Sequence, residues 1–366
     1  MSQRLRLRSR PITDLTRWLL GERWLYAAAL LRVGFGLTLL FHLSIMYGAR
    51  HYVWGPDAFV PWAPLGEPGH GGFYALSAAP LWFEAVLALT CVSLMLWVLG
   101  WRTRVMGVVV YALIRSLFER NPAILDGGDN LLIIALFLLM FARTDAVLAP
   151  ARAGPPRNAL VVRSTMAEAE RLLHSSTMLA ILIQVCLLYF SSGLAKVAGE
   201  RWQEGTALYY ILRVQEFAWP PLSPLIYGNA ALVTVLSYLS VLDQLAYPFM
   251  LLNRVAKRVA VAVTIGMHVG IALLMGLLTF SMIMIVVQAL VFSDSEYRAA
   301  TRWLLARTRW LRATAVRRMT VNVFGGAWRD RAQRVRRSTS ALDWLQTGRR
   351  HDVRDPDAPP LTEPPS

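Results

Sequence analysis

The stretch Met178-Leu179-Ala180-Ile181-Leu182-Ile183-Gln184-Val185-Cys186-Leu187-Leu188-Tyr189-Phe190-Ser191-Ser192-Gly193-Leu194-Ala195-Lys196 decides the fold. It carries no charged side chain before its last residue, and a helix of that length, rising about 1.5 Å per residue, approaches the roughly 30 Å thickness of bilayer hydrocarbon. Comparable apolar runs recur at about 27–47, 81–100, 105–118, 131–148, 229–252, 259–275 and 277–292. Across 366 residues the hydrophobic fraction is 55% and the charged fraction 17%, more apolar surface than one water-soluble core absorbs. The reading is an all-α, polytopic transmembrane helix bundle of about eight spans. The run at 105–118 is short, and 259–292 is too long for one crossing, so a tight hairpin or partly re-entrant pair is expected there.

Charge orients the bundle. The net charge of +15 raises the question of nucleic acid, but the arginines cluster at the two ends and in short loops. Arg4, Arg6, Arg8, Arg10, Arg17 and Arg23 precede the first run, Arg102 and Arg104 follow the second, Arg152, Arg157, Arg163 and Arg171 lie between the fourth and fifth, and Arg254, Lys257 and Arg258 precede the seventh. Such segments face the cytoplasm, which argues for a multi-pass protein of the cell membrane, with both termini cytoplasmic and no nucleic-acid partner. The opposite side receives loops rich in Trp, Tyr, Pro and Gly, and Trp54, Trp62, Trp202, Tyr209, Tyr210 and Trp219 suit headgroup depth there. Four parts follow: a basic cytoplasmic N-terminus (1–26), the transmembrane domain (27–293), a basic amphipathic tail suited to anionic lipid (294–348) and a proline-rich, disordered C-terminus (349–366). The first run contains Arg32 and lacks a small-x-small cleavage site, so it reads as a retained helix rather than a signal peptide. Cys91 and Cys186 lie in apolar runs, where a thiol behaves as a small hydrophobe.

Polar groups within the spans carry the functional information, because a charge at the bilayer centre costs roughly 2.5–3.5 kcal/mol even on mild scales. They include Arg32, His42, Glu84, Arg115, Asp129, Gln184, Lys196, Asp243, Gln244, His268 and Gln288. Of 38 basic residues only Lys196 and Lys257 are lysines. Lys196 closes an apolar run, and an amine held away from water can serve as a base, as a guanidinium cannot. The alternative is an interfacial lysine with its ammonium reaching water. Asp126-Gly127-Gly128-Asp129-Asn130 places two carboxylates at the mouth of the fourth span, where they act as turn and cap or pair with Arg32 or Arg115. His42 and His268 suit either proton transfer or hydrogen bonding between helices, and no histidine pair has metal-ligand spacing. Asp243 and Gln244 fit helix-helix adhesion or pocket lining equally well.

Three elements together resemble the horizontally transferred transmembrane domain (HTTM) family, the bacterial relatives of the vitamin K-dependent gamma-carboxylase: Leu31-Arg32-Val33-Gly34-Phe35-Gly36, Asn121-Pro122 followed by Asp126 to Asn130, and Gln184 through Leu212. In the third, Gln184, Tyr189, Ser192, Gly193, Leu194, Lys196, Trp202, Gly205, Ala207 and Tyr210 follow the family's order of residues. His268, with Leu274-Met275-Gly276 and Phe280 after it, matches the family's late histidine-containing helix. The resemblance implies that Lys196 is positioned to deprotonate a quinol such as vitamin K hydroquinone. Asp129-Asn130 stands where the carboxylases carry Asn-His, and a segment of about seventy residues, basic or disordered, follows the spans in place of their large lumenal domain.

The resulting expectation is a membrane protein that binds or acts on a hydrophobic, quinol-like small molecule. Lys196, His268 and Asp129 would be catalytic, with Arg32, Arg115, Asn130, Gln184, Tyr189 and Trp202 lining the substrate site. The rival is a non-catalytic membrane component, a transporter or assembly partner, in which Lys196 is a surface anchor.

Overall fold

The computed structural model describes residues 18–21, 23–60, 72–150, 162–215 and 222–308. Each of the eight apolar stretches contains a helix, the fourth only as far as Leu139: α1 (Leu25–Met46), α2 (Pro80–Leu99), α3 (Thr103–Arg120), α4 (Gly127–Leu139), α5 (Val162–Val197), α6 (Ala230–Met250), α7 (Ala256–Met275) and α8 (Leu278–Val286), which tightens into a 3₁₀ turn over Val287–Val291. No strand occurs among the described residues. The ends follow local chemistry. Pro80 opens α2 where its missing N–H costs nothing, Gly100 (φ +85°) closes it, and Asn229 caps α6 through the Leu232 amide at 3.2 Å.

Five helical stretches are long and apolar enough to cross a membrane: Leu25–Trp54, Pro80–Leu99, Met166–Val197, Ala230–Met250 and Ala256–Met275. A sixth is reached only by counting Leu278–Val291 and Asp294–Thr308 together across their break. The other three of the eight expected spans fall short of that length or apolarity for physical reasons. Arg104, Arg115, Glu119 and Arg120 charge α3, the 13 residues of α4 extend only about 20 Å, and α8 has nine residues. Residues 259–292 do form a tight hairpin, in which α7 and α8 turn at Gly276 (φ +70°) and pack on each other. Leu89, Leu187, Leu242 and Phe249 remain exposed on the helices' outer faces, as an apolar solvent permits.

Each helix packs on its chain neighbour, and α8 closes the ring against α1 while also touching α4. At one end Asp294, far along the chain, accepts the Leu25 and Tyr26 amides at 3.1 and 2.9 Å and so caps α1. At the same end His174 links the Arg23 carbonyl to the Arg143 amide, and Lys257 donates to Glu296 at 2.8 Å. Of the residues gathered there, Arg23 and Lys257 come from the arginine-rich segments of the sequence.

Arg32 is fully buried at this end. Its guanidinium donates to the carbonyls of Trp97 (2.5 Å), Val98 (2.6 Å), Thr144 (3.1 Å) and Leu148, binding the last carbonyls of α2 to the segment after α4. Arg32, expected to line a substrate site, thus spends its hydrogen bonds on backbone carbonyls. Trp54, expected at headgroup depth, is also buried, beside His42. Trp62, Trp219, the N-terminal arginines before Arg23, Arg152, Arg157 and the chain beyond Thr308 lie outside the described residues.

Arg32→Leu should lower stability by about 3 kcal/mol or more, because it strips a charged donor from four carbonyls, and Arg32→Lys should restore only part of it. The thermal midpoint and folded yield of the detergent-purified protein measure this. Burial alone would raise the Glu296 carboxyl, but hydrogen bonds from Lys257 and from Ser293 draw it down to about 2. Its folded value therefore lies below the ordinary 4.5, and the stabilisation it gives is complete above that pH and lost as pH falls towards 2. A stability-pH curve should show this acid loss, and Glu296→Gln should flatten it.

Candidate functional site

Lys196 lies in the last turn of α5, some 22 residues and roughly 33 Å from His174 at the other end of the bundle. Gly193, one turn earlier, lets α5 meet α6: a Cβ there would lie 2.9 Å from the Leu245 side chain and 3.0 Å from its backbone nitrogen. That close approach brings the Lys196 ammonium to Gln244, whose Oε1 accepts at 2.8 Å. The chain then turns back at Gly199, and the short helix Glu200–Gln203 sets the Trp202 ring 5.0 Å from Nζ, over its face. Gly205 (φ +70°) repeats the device, since a Cβ there would meet Thr234 on α6 at 2.9 Å. The order Gly193, Lys196, Trp202, Gly205 thus reads as two close approaches flanking one amine.

These residues rim a cavity of about 490 Å³ between α6, α7 and the short helices that follow α5. Lys196, Trp202, Ser240, Asp243 and Gln244 supply its polar edge, and Leu208, Ile211, Leu236, Met267, Ile271 and Leu274 are among its apolar walls. Gly266 and Gly270, a turn apart on α7, leave open space where side chains would otherwise project. An apolar chamber with a few convergent polar groups is the common form of a small-molecule site.

Beside the cavity runs a buried polar chain. Tyr247 Oη donates to Gln288 Oε1 at 2.6 Å, Gln288 Nε2 donates to Tyr189 Oη at 3.2 Å, and Tyr189 Oη stands 3.0 Å from His268 Nε2. The His268 tautomer sets which of Tyr189 Oη and His268 Nε2 donates in this last contact. His268 Nδ1 has no partner among the described residues, and Phe280 packs edge-on against the ring.

The other expected residues fall elsewhere. Asp129 is a capping partner: its Oδ2 accepts the Asp126 amide at 3.1 Å, while Asp126 Oδ1 accepts the Gly128 and Asp129 amides. Arg115 pairs with Glu119 at 2.7 Å instead of balancing Asp129. Asn130 is exposed, and Gln184 reaches the Leu131 carbonyl at 3.3 Å. None of these four borders the cavity. Of the nine expected site residues, Lys196 and Trp202 share the cavity, and Tyr189 and His268 share the chain beside it. Reading the sequence left the roles of Asp243 and Gln244 open and passed over Ser240, Tyr247 and Thr264. The available signal was Asp243-Gln244 followed by Tyr247, one turn of polar side chains that holds the helix's lone charged residue. No group of three His, Cys, Asp or Glu side chains among the described residues could hold a metal ion.

Residues 162–296, from α5 through the 3₁₀ turn after α8, match the family model described as the HTTM domain. The matched segment covers 135 of the chain's 366 residues. It contains Lys196, the cavity and the tyrosine–glutamine–histidine chain, and its apolar helices make the chain a membrane protein. Two Bacillus subtilis (strain 168) proteins are similar: the Sporulation-delaying protein SdpB, 25% identical over 211 residues, covering 56% of this chain and 62% of SdpB, and the Uncharacterized protein YitO, 26% identical over 202 residues, covering 53% and 62%. The chain thus spans about three-fifths of the length of these relatives. No solved structure matches it.

Tyr189→Phe should destabilise the HTTM segment by about 1–3 kcal/mol, since one lost hydroxyl leaves both Gln288 Nε2 and His268 Nε2 short of a buried partner. Comparing thermal unfolding with Tyr247→Phe and the double variant would show coupling along the chain, whereas additive losses would mean that the two hydroxyls act separately.

Proposed function

We propose that the protein binds a hydrophobic small molecule with a quinol-like head, and that Lys196 acts on that head as a general base. The observation that carries this reading is a lone amine at the rim of an apolar cavity, held by the neutral Gln244 and by Trp202, with no ion pair to a carboxylate among the described residues. A salt-bridged lysine would be committed to its charge; one held by an amide oxygen keeps a lone pair within reach on deprotonation. The apolar walls suit an isoprenoid or alkyl tail, and the polar rim suits a hydroxylated ring. Vitamin K hydroquinone fits this donor set, with the tail among Leu236, Met267 and Ile271 and the ring at Lys196. A quinol bound there supplies an ionisable hydroxyl. Lys196 takes the proton, Gln244 keeps the amine aimed, and Trp202 covers it from water. His268 and Tyr189 sit behind the cavity as a proton path. Asp129, a helix cap, is given no chemical step.

The cell membrane is the proposed location, with both termini on the arginine-rich side and Lys196 on the opposite one. The exposed Trp303, Leu304 and Leu305, spaced among Arg298, Arg302 and Arg307, suit a helix lying on anionic lipid.

Native purification in lipid nanodiscs followed by mass spectrometry of the bound small molecules tests the reading. A quinone or quinol should co-purify, and Lys196→Met should abolish its turnover while folded yield is kept. Full turnover in that variant would remove the base assignment, and binding without turnover in the native protein would favour a non-catalytic membrane component.

A further inference from the structure

Two opposite charges border the cavity without meeting. Lys196 Nζ spends one hydrogen on Gln244. Asp243, one residue before Gln244 on α6, accepts from Thr264 Oγ1 at 2.9 Å through Oδ2. Among the described residues no donor reaches its other oxygen and no ion pair joins Asp243 to Lys196 within 4.0 Å, although both side chains line the same chamber. Asp243 is only 5% exposed, so its second oxygen keeps little water and gains from a hydroxyl brought in by a ligand. Thr264, equally buried on α7, holds the carboxylate in place and leaves one oxygen for the chamber.

We infer that Asp243 is the specificity-determining residue of the cavity, pairing with Lys196 to select an uncharged, hydroxyl-bearing amphiphile over an anionic lipid or a cationic one. The ligand's hydroxyl donates to the Asp243 oxygen and a second oxygen on the head accepts from Lys196, so that the head bridges the two charges. A carboxylate or phosphate head is attracted by Lys196 but repelled by Asp243 in a region of weak screening, and an ammonium head meets the reverse. A hydroquinone ring, with oxygens on opposite edges, has the right donor and acceptor count. The inference rests on the cavity being the ligand site, and it adds to that reading the charge class of the ligand and the residue that sets it.

The experiment measures binding to the native full chain in nanodiscs of uncharged lipid by quenching of tryptophan fluorescence. The three probes share a ten-carbon tail and differ in head: decylhydroquinone, decanoate and decyltrimethylammonium. The expected order places decylhydroquinone at least tenfold tighter than either ion. Asp243→Asn should invert the order of the first two, by weakening decylhydroquinone and strengthening decanoate tenfold or more, and Asp243→Glu should keep the native order. A native preference for either ion, or an Asp243→Asn variant that folds and keeps the native order, overturns the inference while leaving the cavity as a ligand site. If no probe binds the native protein, the cavity reading and the inference fall together. The native order is informative by itself should Asp243→Asn fail to fold.

Discussion

A backbone carbonyl or a charged side chain has no water to turn to inside hydrocarbon, and each one left without a partner costs several kcal/mol. Arg32 shows how the bundle meets that constraint. One guanidinium on α1 gathers four carbonyls from α2 and from the segment after α4, so the group most expensive to bury becomes the clamp for the chain ends that most need donors. Asp294 does the converse for the first amides of α1, and His174 joins two backbone segments on either side of α5. With this end pinned, the helices are held in a ring.

Beside the cavity the same constraint is met less completely. The chain from Tyr247 through Gln288 and Tyr189 to His268 satisfies most of its members by giving each donor one acceptor, but it stops at an imidazole nitrogen with no partner among the described residues. Lys196 and Asp243 line one cavity, each with a single neutral hydrogen-bond partner. Incomplete satisfaction around a chamber is what a ligand with its own polar atoms would complete.

The residues that carry the resemblance to HTTM proteins divide by physical role once folded. Gly193 and Gly205 are spacing elements, needed because α6 passes too close for a Cβ, and Trp202 is the cover over the amine. Asp129, Arg115 and Asn130 belong to a cap, a helical ion pair and an exposed position. Their types were legible in the sequence but their duties were not, because a carboxylate at a helix start looks the same whether it caps the helix or faces a substrate. Tyr247 and Thr264 went unnoticed for the opposite reason: in an apolar helix a single hydroxyl is unremarkable until a partner from another helix reaches it.

Apolar runs, arginine placement and the lone lysine at the end of a long hydrophobic stretch settled by themselves that the chain is helical, belongs in a membrane and has one unusual amine, since these follow from local composition and the length of a helix. Tertiary structure alone decided how many helices are long enough to cross, that Arg32 and Lys196 serve opposite ends, and that Asp243 shares a cavity with Lys196. Those facts depend on which faces of separate helices meet, and no helix carries in its own sequence the identity of the side chain that will stand opposite it.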